Sequence, residues 1–530
     1  MSGRKISASV LLACVMLSAG VARLLAQTPM PTAIPPDRKA FTDANRIKEP
    51  DKKIEAMEKV IADFPRSQAV YSAHQAIFDT LVKSFPHQES RILASADKAI
   101  ETAPEFIRTF ICSSVGNRLF EAGIMLDDAE RFLKKGLALT EEALIKSKKQ
   151  QESGYYATLG RIYVKQGKLG DAEKNLKRAR ELNPQLSSAA LGLAELYTKR
   201  GDEKRALESY TTAAVTTKLP AESRKQLETF YAKYNQGSSE GLEDMLDKKY
   251  NQLFPIPVKI EHYKPTAKRT TRTALAEVFT GSGCPPCTAA DLGFDAMLER
   301  YGRDELTVLM YHLHIPAPDP MTNPSTQSRG KFYAIQGVPA YAIDGKQSGG
   351  GGSRDMTQSF YDRVNPDVEK QLETAADAEL KLDASIDGAT VKAKATVKNV
   401  KSDSANLKLH IVLAEERIRY TGENGIRFHP MVVRSIAGPE YGGFAVTAKE
   451  NQSFDWTFDV NAVSAEAKKH LDEYEKSGHR GDPFTFSEKK DKIDPDNLTV
   501  VAFVQDEKTK AILQTTLLRL KRAIASNNNR

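Results

Sequence analysis

The chain predicts three regions in series: a helical solenoid, an α/β domain, and an all-β sandwich. Three observations carry that prediction. Small and large apolar residues recur at a spacing of thirty-four across residues 156–213, as in stacked helical hairpins. From Leu275 to Leu372, apolar runs of strand length alternate with segments of helical periodicity. After Leu372 the apolar period changes to two.

At 530 residues the chain is long enough for several domains, each with its own core. Its net charge of +7 is modest for that length, and no basic tract interleaves with aromatics. Nucleic-acid binding therefore has little support. Residues 1–26 read as a secretory leader: Arg4 and Lys5, an apolar run from Ile6 to Ala22, and small residues for cleavage after Ala22 or Ala26. Removing the leader takes away three cations and no acid, leaving +4. The protein is expected to be exported, to the periplasm or outer envelope. Leu11-Leu12-Ala13-Cys14 also has the form of a short lipobox, which would leave a lipid-modified Cys14. No later segment is apolar enough to span a bilayer.

Besides Cys14 the cysteines are Cys112, Cys284 and Cys287, too few for a disulfide-built scaffold. Cys112, among Phe110, Ile111 and Val115, reads as a buried, inert thiol.

Residues 27–39, rich in proline and threonine, read as an extended linker, and 40–250 as helical throughout. Tyr156, Leu159, Gly160, Tyr163, Ala172, Leu176, Ala179 and Pro184 are followed thirty-four residues later by Ala190, Leu193, Ala194, Tyr197, Ala206, Tyr210 and Ala213. The small residues let two helices approach and the large ones fill the groove between them. This stretch resembles the tetratricopeptide family, and weaker units precede it around Ile54–Pro65, Ile92–Pro104 and Asp128–Gly136. The resemblance implies a concave surface for a partner protein or peptide, or an array that only spaces or dimerises the rest.

Between strand Leu275–Phe279 and a helix carrying Leu292, Phe294, Met297 and Leu298 lies Thr280-Gly281-Ser282-Gly283-Cys284-Pro285-Pro286-Cys287. Amide donors and the helix dipole favour thiolate at such a place. Cys284 is expected to be the exposed nucleophile and Cys287 the buried thiol that closes an intramolecular disulfide. The two prolines carry no N–H, so donors to the Cys284 sulfur begin at Cys287 and the expected lowering of its pKa is moderate.

The order of elements over 265–374 is strand, helix, strand, helix, strand, hairpin, helix. With the CxxC after the first strand and Gly337-Val338-Pro339-Ala340 before the third, it resembles the thioredoxin-like fold. The resemblance implies a cis-proline at Pro339, with Pro339 and the Val338 backbone holding a substrate chain beside the disulfide. Gly283 stands where tryptophan is usual, and the only tryptophan, Trp456, lies far downstream. Glu277 is the candidate proton-shuttling carboxylate. Its offset from Cys284 differs by one from that of the usual acid, and one residue in a strand changes the face. His314 opens a proline-stiffened loop, 314–320, placed to shape a substrate groove or simply to connect. Gly349–Gly352 has no phosphate-binding context. Zinc held by the cysteines with His312 and His314 is the competing use of the CxxC.

Over 375–522, alternating strands argue for an immunoglobulin-like sandwich, interrupted by a helix at Ala465–Lys476, with a disordered tail at 523–530. Glu277 to Cys284 followed by this sandwich resembles a Bacteroidetes outer-membrane protein family. His429, beside Pro430, reads as a packed histidine. The whole is read as an exported thiol–disulfide oxidoreductase, a reductase or isomerase sooner than an oxidase, acting on protein cysteines with an unidentified redox partner. Its catalytic set is Cys284, Cys287, Pro339 and Glu277, with Val338, Pro339, Gly283 and His314 at the substrate and no metal or cofactor. The alternative is an envelope adapter whose helical repeats bind partners and whose α/β domain is structural.

Overall fold

The computed structural model describes residues 34–142, 148–448, 450–479, 481 and 483–521. The leader with Cys14, residues 27–33 of the linker and the tail 523–530 lie outside them.

The chain divides between Leu196 and Tyr197 into two units. The first is built from α1 (Pro36–Asn45), α2 (Pro50–Asp63), α3 (Ala69–Ser84), α4 (Glu89–Thr102), α5 (Glu105–Ala122), α6 (Leu126–Glu142), α7 (Lys148–Lys165), α8 (Leu169–Leu182) and most of α9 (Ser187–Arg200). The expected linker is shorter than 27–39, because α1 starts at Pro36, where a missing N–H costs nothing.

Successive helices pack as hairpins of a tetratricopeptide-like solenoid. A Cβ on Gly160 of α7 would lie 2.5 Å from Leu176 Cγ and 3.2 Å from the Ala172 carbonyl of α8. One on Gly116 of α5 would lie at the same two distances from Leu133 Cγ and the Ala129 carbonyl of α6. The close approach thus recurs in a hairpin whose sequence repeat is weak. Gly136 makes room for Tyr155, whose hydroxyl donates to the Thr109 carbonyl. Cys112 is fully buried beside them as a free thiol, which burial pushes up to about 11.

The second unit begins with α10 (Glu203–Thr216), α11 (Ala221–Tyr234) and α12 (Leu242–Leu253), which group with the strands and not with the array. There follow β1 (Ala274–Thr280), α13 (Thr288–Arg300), β2 (Leu306–His312), α14 (Pro324–Phe332), β3 (Ala340–Ile343), β4 (Lys346–Gly349) and α15 (Thr357–Leu372). The remainder is β5 (Glu379–Asp387), β6 (Thr390–Lys398), β7 (Leu407–Arg419), β8 (Phe428–Ile436), β9 (Phe444–Ala445), β10 (Gln452–Asp459), α16 (Val460–Ser477), β11 (Leu498–Asp506) and β12 (Ile512–Arg519).

One sheet runs β12-β11-β7-β8-β2-β1-β3-β4, with β9 beside β7, and a second runs β10-β6-β5. β1 pairs in parallel with β2 and antiparallel with β3. The edge of β2 is closed by parallel pairing with β8 at Met310 and Val432. The large sheet is therefore continuous across residue 375, where the sequence reads the start of a separate sandwich. On one face, Leu275, Phe279, Tyr311, Val412, Val501 and Phe503 share a core with Tyr333 beyond α14. The opposite face is divided: α13 and α15 cover β1, β2 and β3, while the small sheet covers β7 and β11. Strands β5, β6 and β10 alternate as a one-sided sheet does, but β11 is buried along its whole length. Its run Leu498-Thr499-Val500-Val501-Ala502-Phe503-Val504 is that of a strand covered on both faces.

Gly160→Val should destabilise the solenoid by about 1–3 kcal/mol through overpacking against Leu176 and Ala172, read as a lowered thermal midpoint. Gly170→Ala, with nothing within 4 Å of its new Cβ, is the neutral control.

Candidate functional site

At the C-terminal end of β1 the chain turns through Gly281, where a Cβ would lie 2.6 Å from the Ile315 carbonyl oxygen. Only a glycine lets the 313–315 backbone pass so close. Cys284 and Cys287 then form a disulfide, with an S–S distance of 2.09 Å and Cα atoms 5.3 Å apart.

Cys284 is not the exposed nucleophile expected from its place in the turn. Both cysteines are 0% exposed. Residues of the β7–β8 turn lie over the motif: the Asn424 N–H donates to the Ser282 carbonyl at 3.0 Å, and Thr288 Oγ1 donates to the Asn424 carbonyl at 3.2 Å. Gly283 has Ala317 of the proline loop on one side and Glu423 on the other, 3.0 and 3.7 Å from where a Cβ would stand. The glycine run after β4 straps the other side. The Gly352 N–H donates to the Pro286 carbonyl at 2.7 Å, and a Cβ on Gly351 would fall 2.2 Å from that same oxygen.

The helix start also differs from expectation. Pro285–Cys287 is a 3₁₀ turn and the α-helix begins at Thr288. The Cys287 N–H donates to the Cys284 carbonyl at 3.0 Å, the Thr288 N–H to the Pro285 carbonyl, and the Ala289 N–H to the Gly352 carbonyl at 3.0 Å. The first amides that could have solvated a Cys284 thiolate are already committed. Val338 precedes Pro339 through a cis peptide bond, and its carbonyl oxygen stands 3.8 Å from Cys284 Sγ. Cys284, Cys287, Val338, Pro339 and Gly283 are thus brought together.

Glu277 is not among them. Leu275 and Phe279, two residues to either side, lie in the core under α14, on the sheet face away from α13. There Glu277 accepts two hydrogen bonds from Arg329, at 2.6 and 2.9 Å, and one each from Tyr311 (3.0 Å) and Tyr333 (2.7 Å). Arg329 and Tyr333 are tied in turn to Gln505 of β11. The one-residue offset from the usual acid decides the face. His314 likewise turns away from the cysteines. Its ring lies 3.8 Å, centroid to centroid, from Tyr474 of α16, and its Nδ1 accepts from the Asp319 N–H at 3.0 Å. Burial pulls its pKa down to about 4.

Two other carboxylates occupy the floor of the site, and neither stands out in the sequence. Asp319 is fully buried and accepts from the N–H groups of Ser282 (2.6 Å) and Met321 (2.8 Å), with His312 Nδ1 at 3.0 Å. Burial acts to raise it, but His312 and these amides hold it well below the usual carboxylate range. Asp291, four residues after Cys287, is 4% exposed. It accepts from Thr280 Oγ1 at 2.9 Å, and its other oxygen has no partner. Burial pushes it up to about 7, against the Thr280 hydrogen bond and the charge of His312. An aspartate after Thr288-Ala289-Ala290 in the first helical turn, one turn past a cysteine, is the sequence signal for it. His429 is packed, its Nε2 3.0 Å from the Tyr420 carbonyl. Among the described residues no group of three or more His, Cys, Asp and Glu is arranged to hold a metal ion. No described helix is long and apolar enough to cross a membrane.

No family model matches the chain, and no curated protein does. Solved helical-repeat structures do. PilF of Pseudomonas aeruginosa is 16% identical with a TM-score of 0.28, covering 41% of this chain and 94% of its own. The type IV pilus biogenesis factor PilW is 17% identical with a TM-score of 0.31, covering 42% and 96%. YrrB, a TPR protein with an unusual peptide-binding site, is 22% identical with a TM-score of 0.24, covering 38% and 94%. At such identities and scores the likeness adds nothing to what the helix packing shows by itself.

Glu277→Ala should cost about 3–5 kcal/mol of stability by leaving the Arg329 guanidinium buried without its partner, read as a lowered urea midpoint. The redox midpoint of the cysteine pair should not move, whereas a proton shuttle at Glu277 would shift its pH dependence.

Proposed function

We propose that the chain carries out thiol–disulfide exchange on cysteines of other proteins, with Cys284 as the sulfur that is attacked or attacks. The observation that carries this reading is the Cys284–Cys287 disulfide with Cys284 Sγ 3.8 Å from the carbonyl of a cis Val338–Pro339 bond. The strand order β2-β1-β3-β4, with α13 and α15 on one face and α14 on the other, supports reading residues 265–374 as a thioredoxin-like unit. The β10-β6-β5 sheet packed on β7 and β11 supports an immunoglobulin-like sandwich that shares its second sheet with that unit. The apolar run with Arg4 and Lys5 at the start of the sequence supports export to the periplasm or outer envelope.

In the reducing direction, the Cys284 thiolate attacks a substrate disulfide and one substrate sulfur leaves as thiolate. Cys287 then attacks Cys284 Sγ, expelling the second substrate sulfur, and its thiol proton passes to a base. Asp291 is the candidate for that base. Helical side chains lean toward the N-terminus, so a residue at i+4 lies over the turn that holds residue i. The bond from Thr280 keeps the carboxylate at the end of β1, where the chain turns toward Cys284. The substrate leaves as a dithiol, and an external dithiol donor must return two electrons to the oxidised pair. Because the amides of Cys287, Thr288 and Ala289 are bonded to carbonyls, a Cys284 thiolate gains little from them. A weakly stabilised reduced form makes a reductant or isomerase sooner than an oxidant.

The adapter reading has one observation in its favour: both cysteines are covered, as a structural disulfide would be. It also keeps the tetratricopeptide-like array as the working surface for a protein or peptide. The two readings part on Cys284→Ser, which abolishes an exchange activity and leaves an adapter intact.

The midpoint of the pair, equilibrated against dithiothreitol and glutathione, should fall near about −270 mV and not near about −120 mV. A pair that never exchanges in the folded protein overturns the enzyme. Asp291 accepts a proton only when ionised, so resolution of the mixed disulfide should quicken as pH rises through about 7. Asp291→Asn should flatten that rise, as read by quench-flow trapping of the mixed disulfide.

A further inference from the structure

The turn packed on the residues that flank the cysteines, Ser282, Gly283 and Thr288, grips them by few contacts. Residues 420–427 close on themselves through the Tyr420 N–H to the Arg427 carbonyl and the Gly422 N–H to the Ile426 carbonyl, both 2.9 Å. Toward the cysteines they offer the two hydrogen bonds of Asn424 and the approach of Gly422, where a Cβ would fall 2.6 Å from the Ser282 carbonyl oxygen.

The stronger grip is at the base of the turn, on α12. Arg427, 4% exposed, donates through Nε to Asp247 at 2.8 Å and through Nη2 to Glu243 at 2.5 Å. Arg419 donates through Nε to both Asp247 oxygens, at 3.1 and 3.0 Å. The Tyr250 hydroxyl donates to the Gly425 carbonyl at 3.2 Å, and its ring meets Phe428 edge-on. Glu243, Asp247 and Tyr250 recur at helical spacing and so form one face of α12. On its other side, Met245, Lys248 and Gln252 border an open cavity of about 390 Å³ shared with Leu207 and Thr211 of α10. The helix packs on α10 as well, with Leu246 fully buried, and Glu243 also accepts from Arg224 of α11 at 2.8 Å, so the cavity opens beside that packing.

We propose that α12 is a latch that holds the 420–427 turn shut over the Cys284–Cys287 disulfide, and that exchange follows its release. This rests on the reading of the pair as an exchange centre. A thiolate attacking Cys284 needs a straight approach along the S–S axis, which a fully covered sulfur does not allow. The latch is built from charge pairs, so it weakens when the ions are screened or when another charged group competes for Arg419 and Arg427. Those two arginines line a cleft of about 540 Å³ with Lys218, Arg224, Lys490 and Glu488, so the pairs can be reached from outside. A partner presenting carboxylates there would take the place of Glu243 and Asp247.

The test uses the oxidised full-length protein. It is exposed to dithiothreitol, quenched with iodoacetamide at intervals, and the alkylation of Cys284 and Cys287 is followed by mass spectrometry. The Glu243→Gln/Asp247→Asn variant should be reduced about tenfold faster than the wild type, as befits the loss of charged hydrogen bonds worth upward of 1.4 kcal/mol together. Tyr250→Phe should give a smaller acceleration in the same direction. Raising the salt concentration should quicken reduction of the wild type, a measurement that needs no altered chain to fold, and leave the double variant unchanged. The midpoint potential should be the same in all. If wild type and variants react alike at the rate of a free Cys-Pro-Pro-Cys peptide, the latch is overturned and the exchange centre stands. If all of them react only after denaturation, latch and exchange centre are overturned together.

Discussion

A carboxylate and a guanidinium, Glu277 and Arg329, are buried between β1 and α14, and most of the second unit is arranged to satisfy them. Two ions taken out of water cost several kcal/mol each unless every lone pair and proton is met. Here the bidentate pair is completed by the hydroxyls of Tyr311 and Tyr333 and by the side-chain amide of Gln505. Those groups come from β1, β2, α14, the turn after it, and β11. Satisfying one charge therefore fixes β11, more than two hundred residues downstream, against the first strand. With β11 placed, β7 and β8 fill the gap to β2, and the β7–β8 turn falls over the cysteine motif at the end of β1. The cover of the disulfide follows from how a buried ion pair is met on the other side of the sheet.

Two buried aspartates near that motif show how donors decide protonation where burial is common to both. Asp319 has the amides of Ser282 and Met321 together with His312, and stays ionised at any physiological pH. Asp291 has Thr280 alone, and burial brings it to about 7. Ionised Asp319 also adds to the rise of Asp291, since like charges oppose a second ionisation nearby. One carboxylate thus pins the Ser282 backbone, while the other is left free to exchange a proton. That division of labour between a structural and a titrating acid is the pattern that separates acid from base in many active sites.

What the sequence disclosed was local. The repeat of small and large residues, the strand-to-helix join, and the element order from Leu275 to Leu372 all depend on neighbours within a few turns, and all appear in the fold, with the α-helix starting at Thr288 and not at Cys284. The weak α5/α6 hairpin was less legible because its packing glycine, Gly116, lies forty-four residues from Gly160 and outside the thirty-four-residue phase. Glu277 illustrates a different limit: its strand was evident, but the face it takes depends on the partner waiting there, an arginine fifty-two positions on. Nothing in the sequence marks Gly422, Glu423 and Asn424, and Gly349–Gly352 shows only that it lacks a phosphate-binding context. Their meaning comes from what they lie against, Ser282 and Pro286, which no periodicity reports. Alternating strands are legible where they keep one face in water, as β5, β6 and β10 do. The alternation does not disclose the packing of β7 and β11, where Val412, Ala414, Val501 and Phe503 supply a second buried face.

Covering the disulfide also changes its chemistry when it opens. Charge on a sulfur must be met by donors, and the amides nearest Cys284 are held by the carbonyls of Cys284, Pro285 and Gly352. With the turn closed, neither water nor amide can reach the sulfur, and a thiolate formed there would be left without either. With the turn open, water supplies the missing donors. In the proposed exchange, access for a substrate and solvation of the nucleophile then arrive in the same movement, so a single opening step would keep the reduced pair unreactive until a partner is in place. Such coupling requires no further residue in the site. It follows from two facts already fixed by the chain: prolines at 285 and 286 that bring no N–H, and a turn whose hold on the site is weaker than its hold on α12.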